Sequence, residues 1–260
     1  MIIKENPFTI LVNGQEIVTL LCSPYKLEYL AAGFLLSEGL IRDSTLIKNV
    51  ILGKNGHYAD IELDKDFQVT QDFFQKRIIS SGCGRGSSFN NPEDCKPLNS
   101  NIRITHKQVA DLMKRFQEKS ALFKKTGGVH SAALCNQNKI EIFAEDIGRH
   151  NAIDKIFGEC FFKKIDTREK IILTTGRVSS EILIKIAKRA IPILISRSAP
   201  TDLAVGLAEG MNVTLVGFAR GKRMNIYSHD VRIIQEEKNG ECVASPIGDG
   251  SNTLKKNVIL

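Results

Sequence analysis

The chain has 260 residues, 42% of them apolar and 25% charged, enough to bury one sizeable core or two coupled ones as an ordinary globular protein. Lysine and arginine outnumber aspartate and glutamate by 36 to 29, and the resulting +7 favours an anionic partner, such as a nucleotide or phosphate-rich cofactor, over a neutral substrate. With no tryptophan and no long basic block, the composition argues against a nucleic-acid platform of interleaved basic and aromatic residues.

The N-terminus carries Lys4 and Glu5 where a secretory signal would begin its apolar region. The longest apolar stretches, Tyr29 to Leu36 and Ile191 to Ile195, fall well short of the roughly 18 residues of a membrane-spanning helix. The expectation is a protein without a membrane span. Six scattered cysteines, in a chain too large to need disulfide staples, point to reduced thiols in the cytoplasm.

In chain order, Phe8 to Val12 and Glu16 to Cys22 flank Asn13-Gly14, a strong two-residue hairpin signal because both residues tolerate positive φ. Ser23-Pro24 then opens a helix whose Leu27, Leu30, Ala31, Phe34 and Leu35 recur at helical spacing, with Gly39 past its end. A second hairpin is expected from Ile47 to Leu52 and His57 to Leu63. Residues 1–79 therefore read as a small N-terminal lobe of antiparallel strands with a helix packed on one face.

Residues 80–101 are rich in Gly, Ser, Asn and Pro and lack periodicity, the pattern of a mobile functional loop. Beyond them a helix over Lys107 to Lys119 leads into strands at Ala132 to Cys135 and Ile140 to Ala144 and a helix at Asn151 to Phe161. Then come a strand at Ile171 to Thr174, a helix at Ser179 to Arg189, a strand at Ile193 to Ser196, a helix at Thr201 to Glu209, and strands at Val213 to Gly217 and Met224 to Tyr227. This alternation predicts a layered α/β domain over 102–235, with helices on both faces of its sheet. Residues 236–260 form a polar tail expected to fray.

Cys83 has the neighbours of a nucleophile rather than of a core thiol: Ser80-Ser81-Gly82-Cys83-Gly84-Arg85-Gly86. Glycines expose a side chain and free backbone N–H groups for an anion, and Arg85 favours the thiolate, the form that attacks sulfur. Cys22, Cys135 and Cys160 fall among Leu, Ala and Phe, where cysteine behaves as a small hydrophobe. Cys95, in the same loop, is a possible partner thiol without further support. The five histidines are dispersed, and neither a Cys-x-x-Cys pair nor a His-x-Glu with Pro-Cys-x-x-Cys occurs, so no zinc site is expected.

Four segments gather polar and basic residues at strand ends, where α/β proteins form ligand crevices. They are Thr126-Gly127-Gly128-Val129-His130; Glu145 to Lys155, with Arg149 and His150; Thr174 to Glu181, with Arg177 and a serine cap at 179 or 180; and Gly217-Phe218-Ala219-Arg220-Gly221-Lys222-Arg223. In the last, phosphate pairing to Arg220 or Arg223 with a base stacked on Phe218 is the functional reading. Taken singly, each segment also reads as a capped helix or a solvated turn.

Taken together with Val12-Asn13-Gly14, Cys22-Ser23-Pro24, Gly33 to Gly39, Pro200-Thr201 and Asn225-Ile226-Tyr227, these segments resemble the FdhD family of formate dehydrogenase accessory sulfurtransferases. The resemblance extends to about Ser228, and the run Gly148-Arg149-His150-Asn151-Ala152 is its most specific part. It implies a cytidine-deaminase-like α/β fold without the deaminase zinc, and a homodimer. It further implies a role in which persulfide sulfur is accepted from a cysteine desulfurase and passed to the molybdenum bis-guanine-dinucleotide cofactor for formate dehydrogenase. Cys83 then corresponds to the persulfide-bearing cysteine. Phe218, Ala219, Arg220, Gly221, Lys222 and Arg223 correspond to a cofactor-contacting segment, to which the strand-end residues Gly127, Gly128, His130, Arg149, His150 and Arg177 are expected to add, and a guanine nucleotide should mimic the ligand. One departure is visible: the family loop commonly has a second cysteine where Gly86 stands. This leaves open an alternative in which the chain binds and delivers the cofactor without sulfur chemistry of its own.

Overall fold

The computed structural model describes residues 2–41, 46–64, 96–221 and 223–235, together with the backbone of 236, 242–243 and 256–259. Strands β1 (Asn6–Val12) and β2 (Gln15–Cys22) form the expected hairpin, with Asn13 and Gly14 both at positive φ, 49° and 79°. The Asn13 carboxamide oxygen also accepts from Leu63 N at 2.9 Å, tying the turn to the second hairpin. Helix α1 (Leu27–Ser37) carries the chain to β3 (Ile47–Leu52) and β4 (Tyr58–Leu63), and the four strands run in the order β2-β1-β4-β3.

Each hairpin is antiparallel, but the central pair β1–β4 is parallel, so the lobe's sheet is mixed rather than antiparallel throughout. The reason lies in the connection. Alternation puts Phe8, Ile10 and Val12 of β1 and Ala59, Ile61 and Leu63 of β4 on the face covered by α1 whichever way the strands run, and the α1 crossover sets the direction.

Beyond the lobe, β5 (Ile104–Thr105) leads into α2 (His106–Lys119), which a reciprocal capping box starts: Thr105 Oγ1 accepts from Gln108 N at 3.1 Å, and Gln108 Oε1 accepts from Thr105 N at 2.9 Å. Next come α3 (Ala121–Thr126), β6 (His130–Cys135), β7 (Ile140–Asp146), α4 (Arg149–Phe162), β8 (Ile171–Thr174), α5 (Ser180–Lys188), β9 (Ile193–Ser196) and α6 (Asp202–Gly210). The remaining strands are β10 (Thr214–Arg220), β11 (Arg223–Ser228), β12 (Ile233–Glu236), β13 (Cys242–Val243) and β14 (Lys256–Ile259). The large sheet has the order β14-β11-β10-β9-β8-β6-β7, and β8, β9 and β10 run parallel at its centre. Strands β8 and β9 are buried along their whole length, as their unbroken apolar runs require.

Helices do cover both faces. On one, α4, α5 and α6 place Ile153, Phe157, Leu183 and Ala204 over Ala132, Leu134, Ile172 and Leu194; on the other, α2 places Val109, Leu112 and Phe116 over Ala133, Leu173, Ile195 and Val216. The expected fraying of the tail differs from what is found for 256–259, whose backbone pairs antiparallel with β11 at the sheet edge. No helix among the described residues is long and apolar enough to cross a membrane.

The lobe docks through α1 against α4. A Cβ on Gly33 would sit 1.8 Å from the Asp154 carbonyl oxygen, and one on Gly158 1.9 Å from that of Tyr29, so the two helices cross backbone to backbone and only glycine fits at either point. Around this crossing buried cations meet carboxylates. Lys155 Nζ reaches Asp146 Oδ2 at 2.6 Å and the Ser23 carbonyl at 3.0 Å, while Asp146 also accepts from Ser23 N, Gly148 N and Asn151 Nδ2 at 3.0, 2.8 and 3.0 Å. Lys185 binds both oxygens of Asp154 at 3.0 and 2.9 Å, and Ser37 Oγ donates to Asp154 at 2.6 Å.

A basic candidate site at the strand ends

Pairing brings five chain segments to one rim of the large sheet. His130, which opens β6, faces Asp146 at the end of β7; Ala132 faces Thr174 at the end of β8, which faces Ser196 at the end of β9. The last part of β10, from Gly217, lies next along the same rim. Because the strand carboxyl ends and the N-terminus of α4 converge here, this is where an open α/β sheet binds ligands.

The loops at this rim hold one another. Arg197 N donates to the Thr174 carbonyl at 3.0 Å, Ser196 Oγ to the Gly176 carbonyl at 2.7 Å, Val178 N to the Ala199 carbonyl at 3.1 Å and Thr201 N to the Val178 carbonyl at 2.9 Å. Thr175 Oγ1 accepts from Ser131 N at 3.0 Å and lies 3.4 Å from His130 Nδ1. Strand β10 bulges between Gly217 and Arg220, and within the bulge Phe218 adopts φ 51°. A left-handed backbone is uncommon for an aromatic residue and marks a locally constrained turn. Its N–H donates to the Ser198 carbonyl at 3.1 Å, and the residue is left 40% exposed, so an aromatic side chain is available to stack on a planar ligand.

Charge at the rim is unbalanced. Arg220 Nε donates to the Arg197 carbonyl at 3.0 Å, and burial together with the Arg220 guanidinium pulls the Arg197 pKa down. Arg149 opens α4, whose cap Gly148 contributes no side chain and whose first turn has no acidic residue to offset the helix dipole. Arg177, Arg220 and Arg223 are exposed. His150 lies 3.6 Å from Glu181, and burial, Lys185, Arg149 and His130 push its pKa down to about 3, so its imidazole is neutral at physiological pH. Burial, with Arg149 beside it, also lowers His130.

The described cysteines are poor nucleophiles. Cys22, Cys135 and Cys160 are free and buried; burial, with Asp146 nearby, raises Cys22 to about 12, and burial, with Glu159 nearby, raises Cys160 to about 12. Cys135 is pushed up further, by burial and then Glu141. All three are thiols rather than thiolates, in line with their apolar sequence settings.

The family model described as FdhD/NarQ matches residues 3–234. The chain belongs to the FdhD/NarQ family. It is 45% identical over 237 residues to the sulfur carrier protein FdhD of Bacillus pumilus strain SAFR-032, covering 90% of each chain. To the sulfur carrier protein FdhD of Staphylococcus aureus strain MRSA252 it is 43% identical over 239 residues, covering 91% of this chain and 90% of the relative. Its structure is similar to a crystal structure from Desulfotalea psychrophila described as a candidate formate dehydrogenase accessory protein, with a TM-score of 0.74, 26% identity and coverage of 89% of this chain and 90% of that one.

Within this FdhD/NarQ fold the anticipated site residues separate. His130, Arg149, Phe218, Ala219, Arg220 and the start of the segment after β8 share the rim, with Ala219 itself buried. Gly221, at φ 57°, and Arg223 make the turn into β11. Gly127 is the left-handed cap of α3, its N–H donating to the Phe123 carbonyl at 2.7 Å, and a Cβ on Gly128 would meet Ile3 at 3.0 Å; both have a structural task. Ser179 caps α5 by position only, without a side-chain hydrogen bond. Cys83, Arg85, Gly86, Cys95 and Lys222 lie outside the described residues.

The segment from Glu145 to Lys155 divides in two: Asp146, Asn151, Asp154 and Lys155 join the lobe to the domain, while Arg149 lies against Gly176 at the rim and His150 against Glu181 of α5. Sequence reading missed Arg197. The signal was present, since Arg177 and Arg197 follow the central strands β8 and β9 and Arg220 ends the next one, β10.

Proposed function

We propose that this chain is a sulfur carrier in formate dehydrogenase maturation, taking persulfide sulfur from a cysteine desulfurase on Cys83 and passing it to the molybdenum bis-guanine-dinucleotide cofactor. Identity of 43–45% across nine-tenths of the chain with proteins named sulfur carrier protein FdhD carries the reading. In the first step the Cys83 thiolate attacks the terminal sulfur of the donor persulfide; the new S–S bond forms as the donor's own S–S bond breaks, and the donor leaves as a thiolate. The three buried, protonated thiols are unsuited to that attack, which supports the assignment to Cys83.

The anionic cofactor, as substrate, fits the rim. Arg149, Arg177, Arg197, Arg220 and Arg223 supply positive charge, with Lys222 next in sequence, and Phe218 offers a ring to the guanine. The β7-β6-β8-β9-β10 order, with β6 antiparallel to β8 and helices on both faces, supports a deaminase-like layering; zinc has no part in this reading. The protein acts as a cytoplasmic homodimer with the desulfurase and formate dehydrogenase as its partners.

Mass spectrometry after incubation with a desulfurase and cysteine should find added sulfur on Cys83, and Cys83→Ala should fail to activate formate dehydrogenase. Activation by Cys83→Ala, with guanine-nucleotide binding intact, would replace the carrier with a non-covalent cofactor chaperone. The glycine at 86, in place of a second loop cysteine, is what favours that second reading.

A further inference from the structure

We propose that Glu38, Asp154 and Lys185 form a proton-operated latch between the N-terminal lobe and the α/β domain. A proton on Glu38 holds the last turn of α1 against α4 and α5, and loss of that proton to solvent loosens the turn. The latch lies at the lobe–domain junction, and its working does not depend on the sulfur-carrier reading.

Three helices meet there. Glu38 is the C-cap of α1, Asp154 lies on α4 and Lys185 on α5. All three side chains are 6% exposed or less, so water screens none of their charges. Lys185 Nζ holds the two Asp154 oxygens at 3.0 and 2.9 Å, and Ser37 Oγ donates to Asp154 Oδ1 at 2.6 Å. Glu38 receives less: its Oε1 lies 3.4 Å from the same Nζ, and its buried Oε2 has no hydrogen-bond partner among the described residues.

One buried cation therefore faces two carboxyls, whereas Lys155 and Asp146 nearby are matched one to one. With both carboxyls ionised, one negative charge is left over in a site without water, and a single proton removes it. Asp154 is the better-held anion because three donor contacts reach it, so the proton belongs on Glu38. Burial pushes the Glu38 pKa up to about 7, against the pull of Lys185 and with Asp154 adding to the rise; Lys188, farther along α5, pulls the same way as Lys185.

The repulsion of an ionised Glu38 falls where the chain is able to give. Asp154 is fixed from behind, since Gly33 of α1 is packed on its carbonyl oxygen. Glu38 instead belongs to a helix end closed by a few bonds: Glu38 N donates to the Phe34 carbonyl at 2.9 Å, and Leu40 N and Ile41 N donate to the Leu35 carbonyl at 2.9 and 3.4 Å. Opening this turn exposes Glu38 to water, where it releases its proton above the ordinary value of 4.5. The closed turn keeps that proton, so its hold is full below about 4.5 and is lost as the pH rises through 7.

The test is amide hydrogen exchange of the full chain, followed by NMR from about pH 5.5 to 8 and corrected for the pH dependence of intrinsic exchange. In the wild type the opening constants at residues 38 and 40 should rise by about tenfold or more between pH 5.5 and 7.5 and then level off. Both amides should be less protected than those of β8, because the turn opens ahead of the whole fold. The Glu38 carboxyl carbon should titrate near 7 in the same protein. Glu38→Gln, which cannot ionise, should leave the opening constants at residues 38 and 40 flat across the range.

Opening constants that stay flat in the wild type, or a response in Glu38→Gln parallel to that of the wild type, would overturn the latch. So would a Glu38 carboxyl that titrates at 4.5, or protection at residue 40 equal to that of β8 at every pH, which would tie release to global unfolding. Should Glu38→Gln fail to fold, the wild-type exchange profile and carboxyl titration decide the question by themselves.

Discussion

Helix α4 separates two groups of charged residues with opposite character. On the side facing α1, Lys155, Asp146, Asp154 and Lys185 are 3% exposed or less and every charge meets its opposite. At its N-terminal end Arg149 joins Arg197 and Arg220, partly exposed and crowded with like charge. A buried cluster of matched charges adds little net stability but fixes which surfaces meet, because any other docking would strand a charge. A cluster of unmatched cations has no such use inside the fold and raises the local concentration of anions. Both kinds of residue come from one eleven-residue stretch, Glu145 to Lys155, so composition alone does not separate them.

The largest expected effect tests the matched side. Asp146→Ala removes the acceptor of four hydrogen bonds and leaves Lys155 buried and unpaired, which should cost about 3–5 kcal/mol in urea unfolding. An unfolding midpoint within error of the wild type would show that the network is not what seats the lobe.

Next, Gly158→Ala drives a methyl group into the Tyr29 backbone and should cost about 1–3 kcal/mol, read as a lower Tm, because neither helix can retreat without opening the crossing. A Tm equal to the wild type would mean that α1 and α4 are free to move apart.

The pH dependence sharpens the same comparison. Glu38, 3.4 Å from Lys185, has its pKa pushed up to about 7, mainly by burial, against the pull of Lys185 and with Asp154 adding to the rise. The folded protein therefore keeps a proton that the unfolded chain releases above its ordinary value of 4.5, so this contribution to stability is full below about 4.5 and is lost as the pH rises through 7. Glu38→Gln stays neutral. Its stability relative to the wild type should climb across that window, and parallel stability curves for the two proteins would contradict the assignment.

The smallest effect belongs to the open side. Phe218→Gly keeps the left-handed turn, which glycine adopts without strain, but removes the exposed ring; guanine-nucleotide affinity should fall by about 1 kcal/mol while the Tm holds or rises. A Tm loss with unchanged affinity would make Phe218 a packing residue instead.

Much of the fold was legible in the sequence because it rests on local chemistry. Asn13-Gly14 marked the turn, and the unbroken apolar runs of β8 and β9 placed those strands at their observed bounds, whereas α1 begins at Leu27 and not at Ser23-Pro24, because Ser23 bonds instead to Asp146 and Ile147 of the larger domain. The direction of β4 against β1 was not legible, since the same alternation serves both directions. Nor was the task of Gly33 and Gly158, which show no turn signal and matter only because two distant helices meet there.

The candidate site follows the same division. The sequence by itself determined the family through its motifs, singled out Cys83 by its glycine-rich and polar neighbours, and marked Phe218 to Arg223 as a basic strand end, because those features lie within a few consecutive residues. Only the tertiary structure decided that Arg149, Gly176 and Arg197, far apart in the chain, share one rim, and that Asp146 and Lys155 do not belong to it. Sheet pairing and helix docking bring such residues together, and whether a charge is matched or left for a ligand depends on which side of the buried core its backbone faces.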